Sequence, residues 1–361
     1  MNTNSDKKHS ISVISSFDWS VPGTPELICE AAEYAGIQSN YFSKPTSIFK
    51  KKENQPSHYK KKLRANNHLL FCGPRLARSK TLSRIQNSFI LRQIRNSYRN
   101  EEIRNSTLIY TNLESIIGTL PELKKMYRRV FYLCADYSDL GEDFRNNASM
   151  ADKILVIPDS MVEKISDIYG DKTVKFPQLT SPFEKKAKLT SRVMQLLKAV
   201  PTPRIVYSGE INSRVNMNIY SHVAKRLSNC SFLSFHDGRF EQDKNCFKLP
   251  WLEKFEIFQL LENSSLGFMP YDIDDPHNYH CVPLKLFEYF QIGMPVVCSD
   301  LVNLNIFNSV IYKAIEAQQF VDQIKVALNE NPDSQLRKER FSIGKNHSTA
   351  NQVEIIKELI R

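Results

Sequence analysis

The sequence predicts an α/β protein built of two Rossmann-like domains, and three observations lead there. Short apolar runs alternate with stretches of helical periodicity from Ile11 onward, the order that builds parallel sheets covered by helices. A length of 361 residues suits two domains, each able to bury its own core. A polar, Lys-rich, Pro-containing stretch from Pro177 to Pro203 interrupts the alternation, and Arg204 to Ser208 then opens a fresh buried strand. The division read from this is 1–176 for the first domain and 177–203 for a linker with one helix. Residues 204–335 form the second domain, and 336–361 are the closing helices.

Composition narrows the class. A hydrophobic fraction of 41% and a mean hydropathy of -0.39 predict a soluble globular chain. No run approaches the roughly eighteen apolar residues of a membrane span, and MNTNSDKKHS lacks the apolar centre of a signal peptide. Seven cysteines without CxxC spacing predict reduced thiols in the cytosol, not disulfides or a zinc site. Between Lys50 and Arg104, fifteen Lys/Arg stand against three Glu, a local net of +12 in a chain whose total is +10. One segment therefore holds the basicity.

Ile11 to Ser16 reads as the first strand, running into Phe17, Asp18 and Trp19 and then Gly23. Thr24 suits an N-cap, with Pro25 and Glu26 in the first turn of a helix to about Ala35. Gly36 stops it, and Gln38 to Phe42 forms a second strand. This order opens a Rossmann-like unit, but the GxGxxG fingerprint is missing and NAD binding is not inferred.

Lys50 to Arg64 is too charged to pack. From Thr81 to Arg99, Leu82, Ile85, Phe89, Ile94 and Tyr98 recur at helical spacing, with Arg84, Arg92, Arg95 and Arg99 toward the other face. Such a basic amphipathic helix suits anionic lipid headgroups, so 50–104 is expected to meet a membrane surface; the plainer alternative is an ordinary surface helix. Nucleic acid is not expected, since aromatic interleaving and a known binding motif are absent.

Ser106 to Thr111 and Val130 to Cys134 are strands, and the second delivers Asp136 and Asp139 at its carboxyl end, where α/β folds place ligands. Ala151 to Ile157, a helix from Asp159 to Tyr169, and Thr173 to Phe176 complete the first domain. In the second, Arg204 to Ser208 runs into Gly209, with Arg214 in the following loop. A helix to about Leu227, strand Ser231 to Phe235, strand Phe247 to Pro250, a helix to Glu262 and strand Leu266 to Pro270 follow. Tyr271 at the end of the last strand is placed to stack on a base or sugar. Asp272 and Asp274 are expected as solvated carboxylates, and His277, His280 and Cys281 lack a second cluster to complete a metal site. No metal is predicted.

Pro283 suits a first helical position, and Leu284, Leu286, Phe287, Phe290 and Gln291 recur at helical spacing. Gly293 supplies a left-handed stop, and Val296 to Cys298 is a buried parallel strand. Lys285 in the first turn is unfavourable beside the positive helix end unless an anion shares the site. Glu288, three residues on, shares its face; the alternative is a solvent-exposed Lys285–Glu288 pair. After Asp300, Phe320 to Leu328 and Ser334 to Ile360 are helical by pattern.

The eighteen residues PLKLFEYFQIGMPVVCSD, Pro283 to Asp300, resemble the donor-binding segment of GT-B glycosyltransferases of the family 4-like type. That pattern runs Pro-x-Lys-hydrophobic-x-Glu-Tyr-x-x-x-Gly-x-Pro-Val-Val. The resemblance implies the GT-B architecture, two Rossmann-like domains facing a cleft, with donor on the second and acceptor on the first, and with the closing helices 336–361 crossing back to the first domain. It implies that Lys285 contacts the diphosphate or sugar and Glu288 the ribose, with Pro283 and Leu284 opening the helix. Gly209 resembles the small residue that lets donor phosphates approach, and Arg214 either adds charge or is a surface arginine. Many retaining members carry a second Glu eight residues before the Glu288 position; His280 stands in that slot, which departs from the pattern.

The stretch SSFDWSVPGTPELICEAAEYAGIQSNYFSKP resembles the opening of bacterial polysaccharide glycosyltransferases, placing Asp18, Trp19 and Gly23 in an acceptor loop. Where those enzymes carry Tyr-x-x-Ser-Asp-Asp, this chain has Tyr132 to Tyr137, and the first Asp matches Asp136. In membrane-associated bacterial glucuronosyltransferases such an aspartate is the general base. Asp136 is the candidate and Asp139 the reserve, with helix capping as the structural alternative.

Together these imply transfer of a hexose or uronic acid from a nucleotide diphosphate sugar, UDP favoured, to a glycan or lipid-linked oligosaccharide. The setting would be exopolysaccharide synthesis at the inner membrane face, with no cofactor beyond the donor. A sugar-nucleotide epimerase of the same fold and a catalytically silent assembly partner are the other readings.

Overall fold

The computed structural model describes residues 9–15, 23–43, 46–47, 66–68, 70–72, 80–98, 103–111, 117–184, 188–235 and 244–361. The chain divides into two compact units, Met1–Leu179 with Thr349–Arg361, and Thr180–Ser348.

The first unit begins β1 (Ser10–Ile14), α1 (Thr24–Tyr34), β2 (Gln38–Phe42), β3 (Thr46–Ser47), β4 (Asn66–His68) and β5 (Phe71–Cys72). It continues α2 (Lys80–Asn96), β6 (Ser106–Tyr110), α3 (Leu120–Met126) and β7 (Arg129–Cys134). Then come α4 (Glu142–Met150), β8 (Lys153–Val156), α5 (Asp159–Tyr169) and β9 (Thr173–Lys175). Seven of these strands form one sheet in the order β4-β2-β1-β6-β7-β8-β9, while β3 pairs with β5 apart from it. Every pairing is parallel. Central strands β1 and β6 are buried at all five positions, as expected of strands covered on both faces.

The second unit holds α6 (Ser191–Ala199), β10 (Arg204–Glu210), α7 (Met217–Arg226), β11 (Ser231–Phe235), β12 (Cys246–Lys248) and α8 (Lys254–Glu262). After these come β13 (Leu266–Met269), α9 (Pro276–Tyr279), α10 (Leu284–Phe290), β14 (Val296–Ser299), β15 (Tyr312–Ala314), α11 (Ala317–Leu328) and α12 (Gln335–Asn346). Its six parallel strands run β12-β11-β10-β13-β14-β15, the doubly wound order. The order reverses between β10 and β13. Loops leaving the carboxyl ends of those two strands part there, and that is where such sheets hold ligands.

The stretch expected as a linker is bound into this unit. Gln291 accepts from the Phe183 N–H at 2.6 Å and donates to the Ser181 carbonyl at 2.8 Å. Gln259 accepts from the Thr190 N–H at 3.1 Å and donates to the Lys188 carbonyl at 2.8 Å. The closing helical stretch is broken in two. Helix α12 packs on α10 in the second unit, Gly344 lying against the Phe290–Gln291 backbone, whereas α13 (Val353–Ile360) packs on α1 in the first.

Helix α2 forms where the periodicity predicts, but of the described residues of the expected stripe only the Ile94 and Tyr98 end packs on the core. Ile90, Leu91 and Ile94 enter the core, while Ile85 and Phe89 are 61% and 45% exposed. Ile90, Leu91 and Ile94 join the buried cluster that also holds Leu120 and Leu123, where α2 packs on the 117–119 turn and on β5, and the stripe through Ile85 and Phe89 is turned outward. The lysine-rich stretch 50–64 lies outside the described residues. Among the described residues no helix is long and apolar enough to cross a membrane.

Candidate active site

The site is assembled at the point where the second sheet reverses its order. Pro283 caps α10 in an extended conformation (φ -66°, ψ 123°), so the helix starts at Leu284, one residue later than expected. Its far end follows the sequence reading. Gly293 adopts φ 69°, a left-handed conformation that side chains disfavour, and its N–H bonds the Phe290 carbonyl while Met294 bonds that of Tyr289.

Tyr289 fixes α10 to β10. Its hydroxyl donates to the Val206 carbonyl at 3.1 Å and accepts from the Ser208 N–H at 2.8 Å and Ser208 Oγ at 3.0 Å. Burial pushes its phenol pKa up, so it stays a neutral donor and acceptor. The helix is thereby held over the loop that leaves β10.

Lys285 projects into that loop. Its Nζ donates to the Tyr271 hydroxyl at 2.8 Å and lies 4.1 Å from the ring centroid of Tyr207 and 5.2 Å from that of Tyr271. The two rings stand 6.3 Å apart at 70°, walls of a cage around the ammonium. Gly209 closes the remaining side, since a Cβ there would stand 2.9 Å from Nζ and 3.0 Å from Cε. Tyr207 comes from β10 and Tyr271 from just beyond β13, so the sheet order itself brings the three aromatic and cationic groups together.

Tyr271 is not the exposed stacking ring that its position at a strand end suggests. It is 4% exposed, its carbonyl accepts from Ser299 Oγ at 2.7 Å, and burial, with Tyr207 and Cys281 adding to it, pushes its phenol pKa well up. The buried hydroxyl serves Lys285 instead. Backbone bonds from Asp272 to Arg214 (2.9 Å) and from Asn216 to Pro270 (2.8 Å) tie the β10 and β13 loops to one another. The Arg214 side chain is exposed with no described partner. His280 packs its ring edgewise on Tyr279 and its carbonyl accepts from Asn303 at 2.6 Å.

The exposed Lys285–Glu288 pair does not form. Glu288 is buried and ion-paired with Lys254 at the start of α8, a residue the sequence reading missed. Among the described residues no carboxylate comes within ion-pair distance of Lys285. Of its three N–H donors one reaches Tyr271, and two have no partner among the described residues. A signal for Lys254 was present: a lysine in the first turn of a helical stretch, as at Lys285. Tyr289 falls on the Tyr of the donor-segment pattern, although no role was read for it there, while Tyr207 carried no local mark, since tyrosine in a strand reads as core.

In the first unit, Asp136 and Asp139 lie in the loop leaving β7, both exposed. Asp139 Oδ1 accepts from the Gly141 N–H at 2.9 Å and so shapes the turn into α4. Leu140 in that turn has φ 58°, an uncommon conformation for a leucine, with its N–H held by Ser138 Oγ at 3.2 Å. The Asp136 carboxylate has no described partner. Gly23 is the N-cap of α1, one residue before the expected Thr24, whose hydroxyl instead accepts from Gln178 at 3.2 Å. Asp18 and Trp19 lie outside the described residues.

No family model matches the chain, and no curated protein matches it in sequence. Solved structures do match over the full length. The Anabaena protein HepE, determined in complex with UDP and glucose, superposes at a TM-score of 0.69 with 11% identity, covering 97% of this chain and 99% of that one. An α,α-trehalose-phosphate synthase (UDP-forming) from Burkholderia vietnamiensis gives 0.66 and 12%, covering 98% of each chain. A sucrose-phosphate synthase from Thermosynechococcus elongatus gives 0.62 and 11%, covering 97% and 96%. At such identities the likeness is one of fold: the chain has the GT-B fold, two Rossmann-like units each built on a parallel sheet.

Proposed function

We propose that this protein is a glycosyltransferase that moves a hexose or uronic acid from a nucleotide diphosphate sugar, UDP in preference, to a glycan or lipid-linked oligosaccharide. The observation that carries it is the Lys285 ammonium, caged by Tyr207 and Tyr271 at the switch point, unpaired with any described carboxylate and faced by a glycine. A fixed cation with two unused donors, beside backbone that a side chain cannot crowd, suits the oxygens of a pyrophosphate.

In this reading the cage holds the cation where charge develops as the nucleotide diphosphate departs. Ring faces attract the ammonium without neutralising it, so it remains available to the anion. The fold neighbours support the substrate class: HepE was solved with UDP and glucose, and an Escherichia coli structure with UDP-2-fluoro glucose also superposes, at a TM-score of 0.61. Asp136, exposed and without a described partner, serves as the base that takes the proton of the acceptor hydroxyl. The outward stripe of Ile85 and Phe89, with exposed Arg92 and Arg95 beside it on α2, suits an anionic membrane surface. That would keep the enzyme on the inner face of the cell membrane, near a lipid-linked acceptor for exopolysaccharide synthesis.

The test is a thermal-shift and turnover screen of nucleotide sugars on the purified protein, with Lys285→Ala alongside. Stabilisation by a UDP-sugar that the variant loses, with acceptor-dependent release of UDP, is the expected result. Absence of nucleotide binding by the unaltered protein overturns the reading.

A further inference from the structure

Lys254 is badly placed by local rules. It is the first residue of α8, a nine-residue helix whose aligned peptide dipoles already present positive charge at that end. The surrounding chain does not need it for capping, because Glu253 and Glu256 complete a capping box on their own. What offsets the misfit is the ion pair with Glu288, in which the two side chains are 22% and 5% exposed. Its ammonium also lies 5.7 Å from the Phe258 ring, one turn further along α8.

Glu288 has two cations to choose between. Lys285 precedes it by three residues on the same face of α10, the spacing at which helix pairs form. Lys254 is 34 residues away in sequence and reaches it only through the fold. The pairing goes to Lys254, and Lys285 turns to Tyr207 and Tyr271. Burying a carboxylate is costly unless a cation stands beside it, so Glu288 takes whichever lysine is offered.

We infer that Lys254 is a positioning residue that keeps Lys285 available to anionic substrate. By occupying Glu288 it removes the one local carboxylate able to draw the Lys285 ammonium out of its aromatic cage. An incoming diphosphate then meets a cation whose charge is not already spent on its own helix. This deepens the proposed function and rests on Lys285 meeting a diphosphate.

The experiment compares the unaltered protein, Lys254→Met and Lys254→Met/Glu288→Gln by calorimetric titration with inorganic pyrophosphate, which has no ribose, and by crystal structure. Methionine keeps the apolar stem against Phe258, and Lys254→Arg is the control expected to retain the original affinity. Lys254→Met is expected to lose roughly tenfold in pyrophosphate affinity, the size of one charge–charge interaction across a partly solvated site. The double variant is expected to recover most of that loss. An unchanged affinity in Lys254→Met overturns the proposal; so does a double variant as weak as the single one, which would mean that Lys254 meets the anion itself. If the unaltered protein binds neither pyrophosphate nor UDP, the functional reading fails, and the Lys254→Met crystal still decides the positioning role. Lys285 swung onto Glu288 supports it, and Lys285 left against Tyr207 overturns it.

Discussion

A methyl group placed on Gly209 would stand 2.9 Å from the Lys285 ammonium, closer than side-chain carbons approach other atoms in folded proteins. Two residues 76 positions apart in sequence therefore share one small space, set by the carboxyl end of β10 and the first turn of α10. Gly209→Ala is expected to push the lysine off its Tyr207 and Tyr271 contacts. The flexible end of a lysine can yield, so stability should change little while affinity for a UDP-sugar falls by about tenfold, a displacement worth roughly 1.4 kcal/mol. Titration calorimetry beside a thermal melt checks both halves.

Lys285→Ala is expected to lower turnover by about 10²- to 10³-fold, the usual cost of removing one group aimed at developing charge. Lys285→Arg should restore little, because a planar guanidinium needs more room than the space between Tyr207 and Tyr271 leaves. Steady-state rates of UDP release for the two variants test this, with equal losses in alanine and arginine as the expected pattern.

Tyr289→Phe removes one hydroxyl that serves the Val206 carbonyl, the Ser208 N–H and Ser208 Oγ. Leaving buried backbone groups unpaired costs about 1–3 kcal/mol, and urea unfolding should show a loss of stability of that size. Nucleotide affinity should fall as well, since this bond holds α10 against β10.

Asp136→Asn is expected to reduce kcat by about 10²- to 10⁴-fold with nucleotide-sugar binding intact, as loss of a general base does. Asp139→Asn should cost far less, because its carboxylate shapes the Gly141 turn and an amide oxygen can still accept that N–H. A larger loss from Asp139→Asn than from Asp136→Asn would reverse the assignment of base and reserve.

Phe89→Ser with Arg92→Ser and Arg95→Ser is expected to abolish sedimentation with vesicles containing anionic lipid while leaving the melting temperature near its original value. Phe89 is 45% exposed and the two arginines are exposed, so none of the three holds the core. Binding by the unaltered protein should weaken as salt is raised, since exposed charges are screened within about 10 Å at 0.1 M. Retained sedimentation in the triple variant counts against this surface.

Short-range pattern was enough for much of this molecule. The helix from Leu284, the left-handed stop at Gly293 and the buried strand from Val296 follow from residue spacing, one glycine and a run of apolar side chains. These signals act within a few residues, where backbone sterics and periodicity decide the outcome. Spacing also placed Lys285 and Glu288 on one helix face, and it marked Lys285 as a cation without a local reason. What it could not decide was which distant groups would stand opposite them. Lys254 reaches Glu288 because α8 and α10 are brought together in the second unit, and Tyr207 and Tyr271 enclose Lys285 because β10 and β13 are neighbours there. For the same reason α2 buries Ile90, Leu91 and Ile94 while Ile85 and Phe89 stay outside: the choice of face is made by the surface a helix lands on, which its own periodicity does not contain.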